Sequence, residues 1–353
     1  LKPEVIEVSA DELKKYKDKK GATVVDGRVM DPFDANRSWS VEALRGADGL
    51  RRWTNEDVMP RADDVFQERL YCIRWAKTVI RDGKPKLVRR YAAPDSADVA
   101  REAQVLALLS ERFVDWQREG FIPSKAIESG YNTDQPLRER GWTHWHHLFM
   151  PRQLLMLGTV WQAVPLHSSR VASVAGALSI WRATDRLSRL CCLDPHVSKG
   201  PGSIANVFLN QALNTQFSYG CRAFHGLTDF LVSDLIFHGD FAAHGKVSAI
   251  DARDIRETCD LWITDPPYAD AVNYHELSDY FLAWYEKQLT NTFPEWTPDV
   301  RAELAVRGNG EDFRRSMVEI YKNLAHHMPD NGLQMVMFTH QDPAVWADLG
   351  MIL

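Results

Sequence analysis

The period of the apolar residues changes along the chain, and each change predicts a different element. Residues 1–50 mix charge, glycine and aspartate with the lysines Lys14, Lys15, Lys17, Lys19 and Lys20 and hold no sustained period, which predicts a small, loosely packed lead-in. From Leu70 the pattern becomes strand-like in Tyr71-Cys72-Ile73-Arg74-Trp75. Arg81-Asp82-Gly83-Lys84-Pro85 then supplies a turn into Leu87-Val88-Arg89-Arg90-Tyr91, so residues 51–92 are expected to contain a basic hairpin.

Pro94-Asp95-Ser96 opens a helical stretch through Trp116, with Val99, Ala103, Leu106, Leu109 and Phe113 at spacings of three and four that predict a core face. A second helical block runs from Pro151 to Leu190. Leu154, Leu155, Leu157, Val160 and Trp161 lead there into Val174, Leu178, Trp181 and Leu187, with a break at His167-Ser168-Ser169. Residues 93–245 thus read as a mainly α-helical subdomain.

From Lys246 the texture turns to short β-rich runs, Val247 to Ile250, Leu261 to Thr264 and Leu333 to Phe338, separated by helices around Leu277 to Leu289 and Asp312 to His327. This alternation predicts an α/β fold with a parallel sheet over residues 246–353. Pro329-Asp330-Asn331-Gly332 is the turn into the last of those strands. Trp346 to Leu353 reads as an amphipathic segment broken off in mid-course, and the first residue is Leu1 rather than methionine, so a fragment truncated at both ends is expected.

Composition narrows the class. Apolar residues make up 45% and charged residues 25% of the chain, the balance of a globular protein. No run of about 18 apolar residues and no signal-peptide layout is present, so a cytoplasmic protein is the expectation. The five cysteines form no Cys-x-x-Cys pair and read as reduced, buried thiols. A net charge of -6 is unusual for a module that only grips phosphates, although local patches matter more than the sum.

The candidate chemistry is the run Asp265-Pro266-Pro267-Tyr268, directly after the apolar Leu261-Trp262-Ile263-Thr264 and so at the carboxyl end of an expected parallel strand, where open α/β sheets place their ligand crevices. An aromatic amine is a poor nucleophile because its lone pair is delocalised into the ring. Asp265 and a backbone carbonyl beside Pro266 can accept its two hydrogens and aim the lone pair at a methyl donor. The prolines stiffen the turn and remove competing N–H donors, and Tyr268 offers a flat face for a flipped base. Such a run arises by chance in roughly 1% of chains this long at ordinary proline frequencies, so the position after a strand is what raises it above a simple rigid turn.

Asp265 to Tyr268, followed by Asn273-Tyr274-His275-Glu276-Leu277-Ser278-Asp279-Tyr280-Phe281, resembles the catalytic region of the adenine-specific DNA methylases that carry an N-terminal domain of unknown function and occur in phage-defence gene clusters. Val65 to Tyr71, Gly141 to Phe149 and Pro151 to Leu155 share the likeness, which covers most of residues 50–340. The resemblance implies S-adenosylmethionine as cofactor, a partial Rossmann-like methyltransferase sheet beside a large α-helical subdomain, and transfer to adenine N6 in double-stranded DNA, with other defence-system proteins as partners. It also implies a cofactor- or target-side acid at Asp251 or Asp254. A glycine-rich cofactor loop is not apparent: Asp31-Pro32-Phe33-Asp34-Ala35-Asn36 begins as such a loop but lacks the glycines. The fragment by itself is therefore expected to bind cofactor poorly and to be inactive.

Arg81, Lys84, Lys86, Arg89 and Arg90 of the hairpin, and Arg51-Arg52 beside Trp53, are the candidate DNA-phosphate contacts. Asn206, Asn210, Gln211 and Asn214 could read base edges or form a polar helix face. His144, His146 and His147 lack an acid or cysteine at ligand spacing and read as a packing cluster rather than a metal site. No cysteine follows a proline, which argues against carbon-5 cytosine methylation. The same acceptors would serve N4-cytosine or RNA amino-methylation, and a non-catalytic DNA-binding or assembly module is the alternative of another class.

Overall fold

The structure, a computed structural model, describes residues 24–26, 28–30, 34, 36–40, 50–64, 67–164, 170–191, 207, 245–248, 250–266, 274–294 and 311–353. Outside them lie Pro267, Tyr268, the stretch from Lys14 to Lys20, Asp31 to Phe33, Ala35, the His167-Ser168-Ser169 break, and Asn206, Asn210, Gln211 and Asn214. Among the described residues, eight α-helices and three small sheets make a mixed α/β protein. No helix among them is long and apolar enough to cross a membrane. The described residues within Leu1–Ile127, Gln135–Gln162 and Ala183–Leu227 form one compact unit, and those within Glu128–Asp134, Ala163–Arg182 and Thr228–Leu353 a second.

In the first unit the lead-in carries a small antiparallel sheet, β1 (Val24–Val25), β2 (Arg28–Met30) and β3 (Ser38–Ser40), in that order. Asp34 tightens the β2–β3 connection by accepting the Asn36 amide at 3.0 Å. The hairpin is β4 (Ile73–Arg81) paired with β5 (Lys84–Ala92), in register from Ile73↔Ala92 to Arg81↔Lys84. Its two loop residues, Asp82 and Gly83, have φ of 53° and 73°, the left-handed pair that a tight two-residue hairpin turn requires.

Helix α1 (Ser96–Glu119) starts at a capping box, Asp95 accepting the Asp98 amide and Asp98 the Asp95 amide, and ends on Gly120 at φ 86°. Its expected core face is buried only in its C-terminal half: Leu109, Phe113 and Trp116 are inside, whereas Val99 is 55% exposed. The reason is length. α1 has 24 residues, while α3 (Pro151–Ala163), which packs on it through Gly158 and Trp116, has 13. The short α2 (Asp134–Arg140) and a 3-10 turn, Trp145–Leu148, lead into α3.

The second unit contains most of α4 (Arg170–Thr184) and the α/β part. Strands β6 (Leu261–Thr264) and β7 (Leu333–Val336) pair in parallel, Leu261↔Leu333 through Thr264↔Val336. Between them in sequence come α5 (Tyr274–Leu282), α6 (Glu286–Thr292) and α7 (Glu311–His326), and α8 (Pro343–Ile352) follows. The single helix expected over Leu277 to Leu289 is two. Ala283, Trp284 and Tyr285 form a tight turn that drives both aromatic rings into the interior, at 1% and 2% exposure.

Phe313, Met317, Ile320, Tyr321 and Leu324 repeat at helical spacing on α7 and form a core with Ile352, against which Ala252, Ile255, Trp262 and Val336 pack. The strand expected at Val247 to Ile250 is not formed by the described residues there. Val247 is 76% and Ile250 54% exposed, and neither has a ladder partner among the described residues. The parallel sheet is thus two-stranded among the described residues.

Candidate active site

Asp265 and Pro266 continue β6 at its carboxyl end, as the sequence predicts, with Asp265 exposed and Pro266 buried. The strand beneath them is anchored on two sides. The Met337 amide donates to the Thr264 carbonyl at 2.8 Å, extending the ladder by one bond beyond β7, and Thr264 Oγ1 shares a 3.1 Å hydrogen bond with the Tyr321 hydroxyl of α7. Burial raises the Tyr321 pKa, so that hydroxyl stays protonated and able to donate. Among the described residues nothing donates to the Asp265 carboxylate, which leaves it open to a ligand's N–H.

Asp251 and Asp254 flank a 3-10 turn, Ala252–Asp254, clamped to α7 by the Asn323 side-chain amide, which donates to the Ala252 and Ile255 carbonyls at 3.0 and 3.1 Å. Helix α7 therefore supports both candidate acid segments. The two acids differ in freedom. Asp251 accepts the Arg253 amide at 2.9 Å and meets its guanidinium at 2.6 Å, an embrace that lowers the Asp251 pKa and raises that of Arg253. Asp254 is exposed and, among the described residues, carries no ion pair.

One contact in the second unit was not foreseen from sequence. Glu276, in the first turn of α5 and 9% exposed at its side chain, accepts the Tyr131 amide at 3.0 Å and the Asn132 amide at 2.7 Å. Gly130 is needed there because a Cβ would overlap the Glu276 carboxylate. The clamp holds Tyr131 at 85% exposure, in the same unit as Tyr274 at 58%. No local signal marks a contact between residues 144 positions apart.

The hairpin of the first unit presents its cations to solvent: Arg81, Lys84, Lys86, Arg89 and Arg90 are all exposed, and among the described residues no carboxylate pairs with any of them. Arg51 and Arg52 are otherwise engaged. Arg51 bonds Asp57 and Asp64, each at 2.7 Å, and Arg52 donates to the Leu137 carbonyl. The Asp64 hydrogen bond is the main cause of a raised Arg51 pKa. For Asp57, burial opposes ionisation, but hydrogen bonds from Arg51, the Thr54 amide and Arg61 prevail and hold its carboxyl below the usual range. Arg51 is thus a structural ion rather than a phosphate contact.

Two of the three clustered histidines are interior, and His144 is half-buried. His146 and His147 are fully buried among Trp53, Phe113 and Arg189. His147 Nδ1 accepts the Thr143 amide at 3.0 Å while Nε2 faces the Thr54 carbonyl at 3.0 Å, which fixes the Nε2–H tautomer. Burial pushes His147 down to about 2 and His146 to about 3, so both are neutral. Among the described residues no group of three or more histidines, cysteines, aspartates or glutamates is arranged to hold a metal ion. Cys72, Cys191 and Cys259 carry free thiols.

Comparison with protein-family models, with curated proteins and with solved structures finds no match. The functional reading therefore rests on these residues and their chemistry.

Proposed function

We propose that this chain contributes the catalytic carboxylate of an S-adenosylmethionine-dependent methyltransferase that acts on an exocyclic amino group in DNA, adenine N6 first. The observation that carries the reading is Asp265, exposed and without a donor among the described residues, followed by the buried Pro266 at the end of a parallel strand. Strands β6 and β7 are read as part of a Rossmann-like sheet. Asp265 accepts one amino hydrogen and the Pro266 carbonyl the other, which turns the nitrogen lone pair outward. Pro267 keeps the turn free of N–H donors, and Tyr268 stacks on the extruded base. The bound cofactor supplies an electrophilic sulfonium methyl. The proton released from nitrogen leaves to water by way of Asp265.

The acceptor set fits a cofactor-dependent enzyme in one respect: Asp254 is exposed, without an ion pair among the described residues, on a turn fixed to the helix that also backs β6. The likeness to phage-defence methylases extends the proposal to a defence or restriction-modification setting. A second reading, a DNA-binding module without chemistry, is favoured by the exposed hairpin cations, which no carboxylate among the described residues pairs. The separating experiment is methyl transfer from labelled S-adenosylmethionine to DNA by the full-length protein and by Asp265→Ala, with nucleosides resolved by mass spectrometry. Label in N6-methyladenine that disappears in the variant supports the reaction and the residue together. Label in N4-methylcytosine or in RNA keeps the mechanism and changes the substrate, and no transfer by a folded, cofactor-binding protein leaves the binding module.

A further inference from the structure

The β4–β5 register sorts the hairpin's side chains into two unlike faces. Residues directly opposite in an antiparallel pair lie on the same face, and successive residues alternate. One face therefore carries Trp75, Lys77, Val79, Arg81, Lys84, Lys86, Val88 and Arg90, the other Arg74, Ala76, Thr78, Ile80, Pro85, Leu87, Arg89 and Tyr91. Five of the seven cations between Ile73 and Ala92 fall on the first face, and the only acid in that stretch is Asp82 in the turn. The rest of the chain must be strongly acidic for the whole to carry a net charge of -6.

Several arginines elsewhere are held by acids. Arg51, Arg152, Arg189, Arg253 and Arg314 each face a carboxylate. On the hairpin, Lys77, Arg81, Lys84, Lys86 and Arg90 are exposed and unpaired among the described residues, and Arg81 stands directly opposite Lys84. Like charges directly opposite are destabilising, and a two-stranded ribbon exposed on both faces has little core to offset them. A polyanion laid along the ribbon removes the repulsion.

We propose that the hairpin is a β-ribbon that lies in the major groove of B-form DNA, its Lys77/Arg81/Lys84/Lys86/Arg90 face gripping phosphates, with Trp75 beside Arg90. The dimensions suit that groove. Strands about 4.8 Å apart make, with side chains, a ribbon that a groove about 12 Å wide admits, and nine residues span roughly 30 Å, close to one helical turn. The deep, narrow major groove of an RNA duplex does not admit it. A membrane-inserting hairpin would carry an apolar tip, whereas this tip is Arg81-Asp82-Gly83-Lys84. The inference does not depend on methyl transfer.

Fluorescence anisotropy with the full-length protein, without cofactor, tests it on a labelled 24-base-pair DNA duplex, the matching RNA duplex, and phosphatidylserine vesicles. Five phosphate contacts predict a slope of about -4.5 in log affinity against log salt. The expected result is DNA-duplex binding with such a slope, flattened by about 1 in Arg90→Gln and in Lys86→Gln. The register removes Arg89 from the phosphate contacts expected from sequence, because it lies with Ala76 on the other face; Arg89→Gln takes away the same charge there and should change affinity less than about twofold, since that face stays out of the groove. Equal effects of Arg89→Gln and Arg90→Gln, equal or tighter binding to RNA or vesicles, or no duplex binding would each overturn the ribbon. Binding without methyl transfer leaves the ribbon standing and removes the enzyme reading; transfer indifferent to hairpin substitutions does the reverse.

Discussion

Gly141, at φ 70°, sits where a side chain would overlap the carbonyl oxygen of Arg51, whose guanidinium ties Asp57 to Asp64. A methyl group there meets both a left-handed backbone and rigid main chain. Gly141→Ala is expected to destabilise the first unit by about 2–4 kcal/mol, read as a lower urea midpoint at unchanged slope. A midpoint within experimental error of the parent would show that the Arg51 segment can give way. Glu276 is the corresponding residue in the second unit. Glu276→Ala leaves the Tyr131 and Asn132 amides without their acceptor, and a loss of about 1–3 kcal/mol is expected together with faster hydrogen exchange at those two amides. Unchanged exchange there would mean that the turn around Gly130 holds itself.

The elements differ sharply in how much of themselves they bury. α1 is capped at both ends and seats Leu109, Phe113 and Trp116 in the core, whereas β4 and β5 expose Trp75, Ile80, Leu87 and Tyr91. Hydrogen exchange should find the C-terminal half of α1 the best protected described segment of the first unit, and the hairpin amides near the unprotected limit until DNA duplex is added. A hairpin already protected without DNA would mean that another surface covers it. The Asp95–Asp98 box predicts a loss of about 1 kcal/mol for Asp95→Ala, measured as a shift of the unfolding midpoint, because Asp95 satisfies an amide that the helix itself cannot.

For the molecule as a whole, the buried histidines set the acid side of its stability. A base whose folded pKa is depressed contributes stability that is complete above the unfolded value and is lost as pH falls towards the folded one. With His146 at about 3 and His147 at about 2, against 6.5 for a free ring, each withholds a proton that the unfolded chain takes up below pH 6.5. The slope is about 1.4 kcal/mol per pH unit for each ring over that window. Asp57 and Asp64, with lowered pKa values, add a further loss only as the pH drops below the ordinary carboxylate range. Urea midpoints should fall steeply between pH 6 and pH 4, and His146→Leu should roughly halve that dependence if the rings act independently. A flat midpoint over the same range would contradict the burial of neutral histidines.

What the sequence determined was local. The Asp-Gly turn and its flanking alternation specified the hairpin, because left-handed φ at both loop positions suits few residue pairs. Asp95 marked the start of α1. The β-prone run Leu261 to Thr264 before Asp265 placed an acid at a strand's end, since the two prolines after it stop the ladder. Tertiary structure decided whatever depended on residues far apart in sequence. It left the N-terminal half of the α1 face exposed, split the helix after Leu282 to bury Trp284 and Tyr285, and left Val247 and Ile250 outside any strand formed by the described residues. It also bound Asp251 to Arg253, left Asp254 open, engaged Arg51 with two carboxylates, and set Glu276 against the amides of Tyr131 and Asn132. Propensity and period act over a few residues, whereas a carboxylate's freedom depends on which donors the folded chain brings to it.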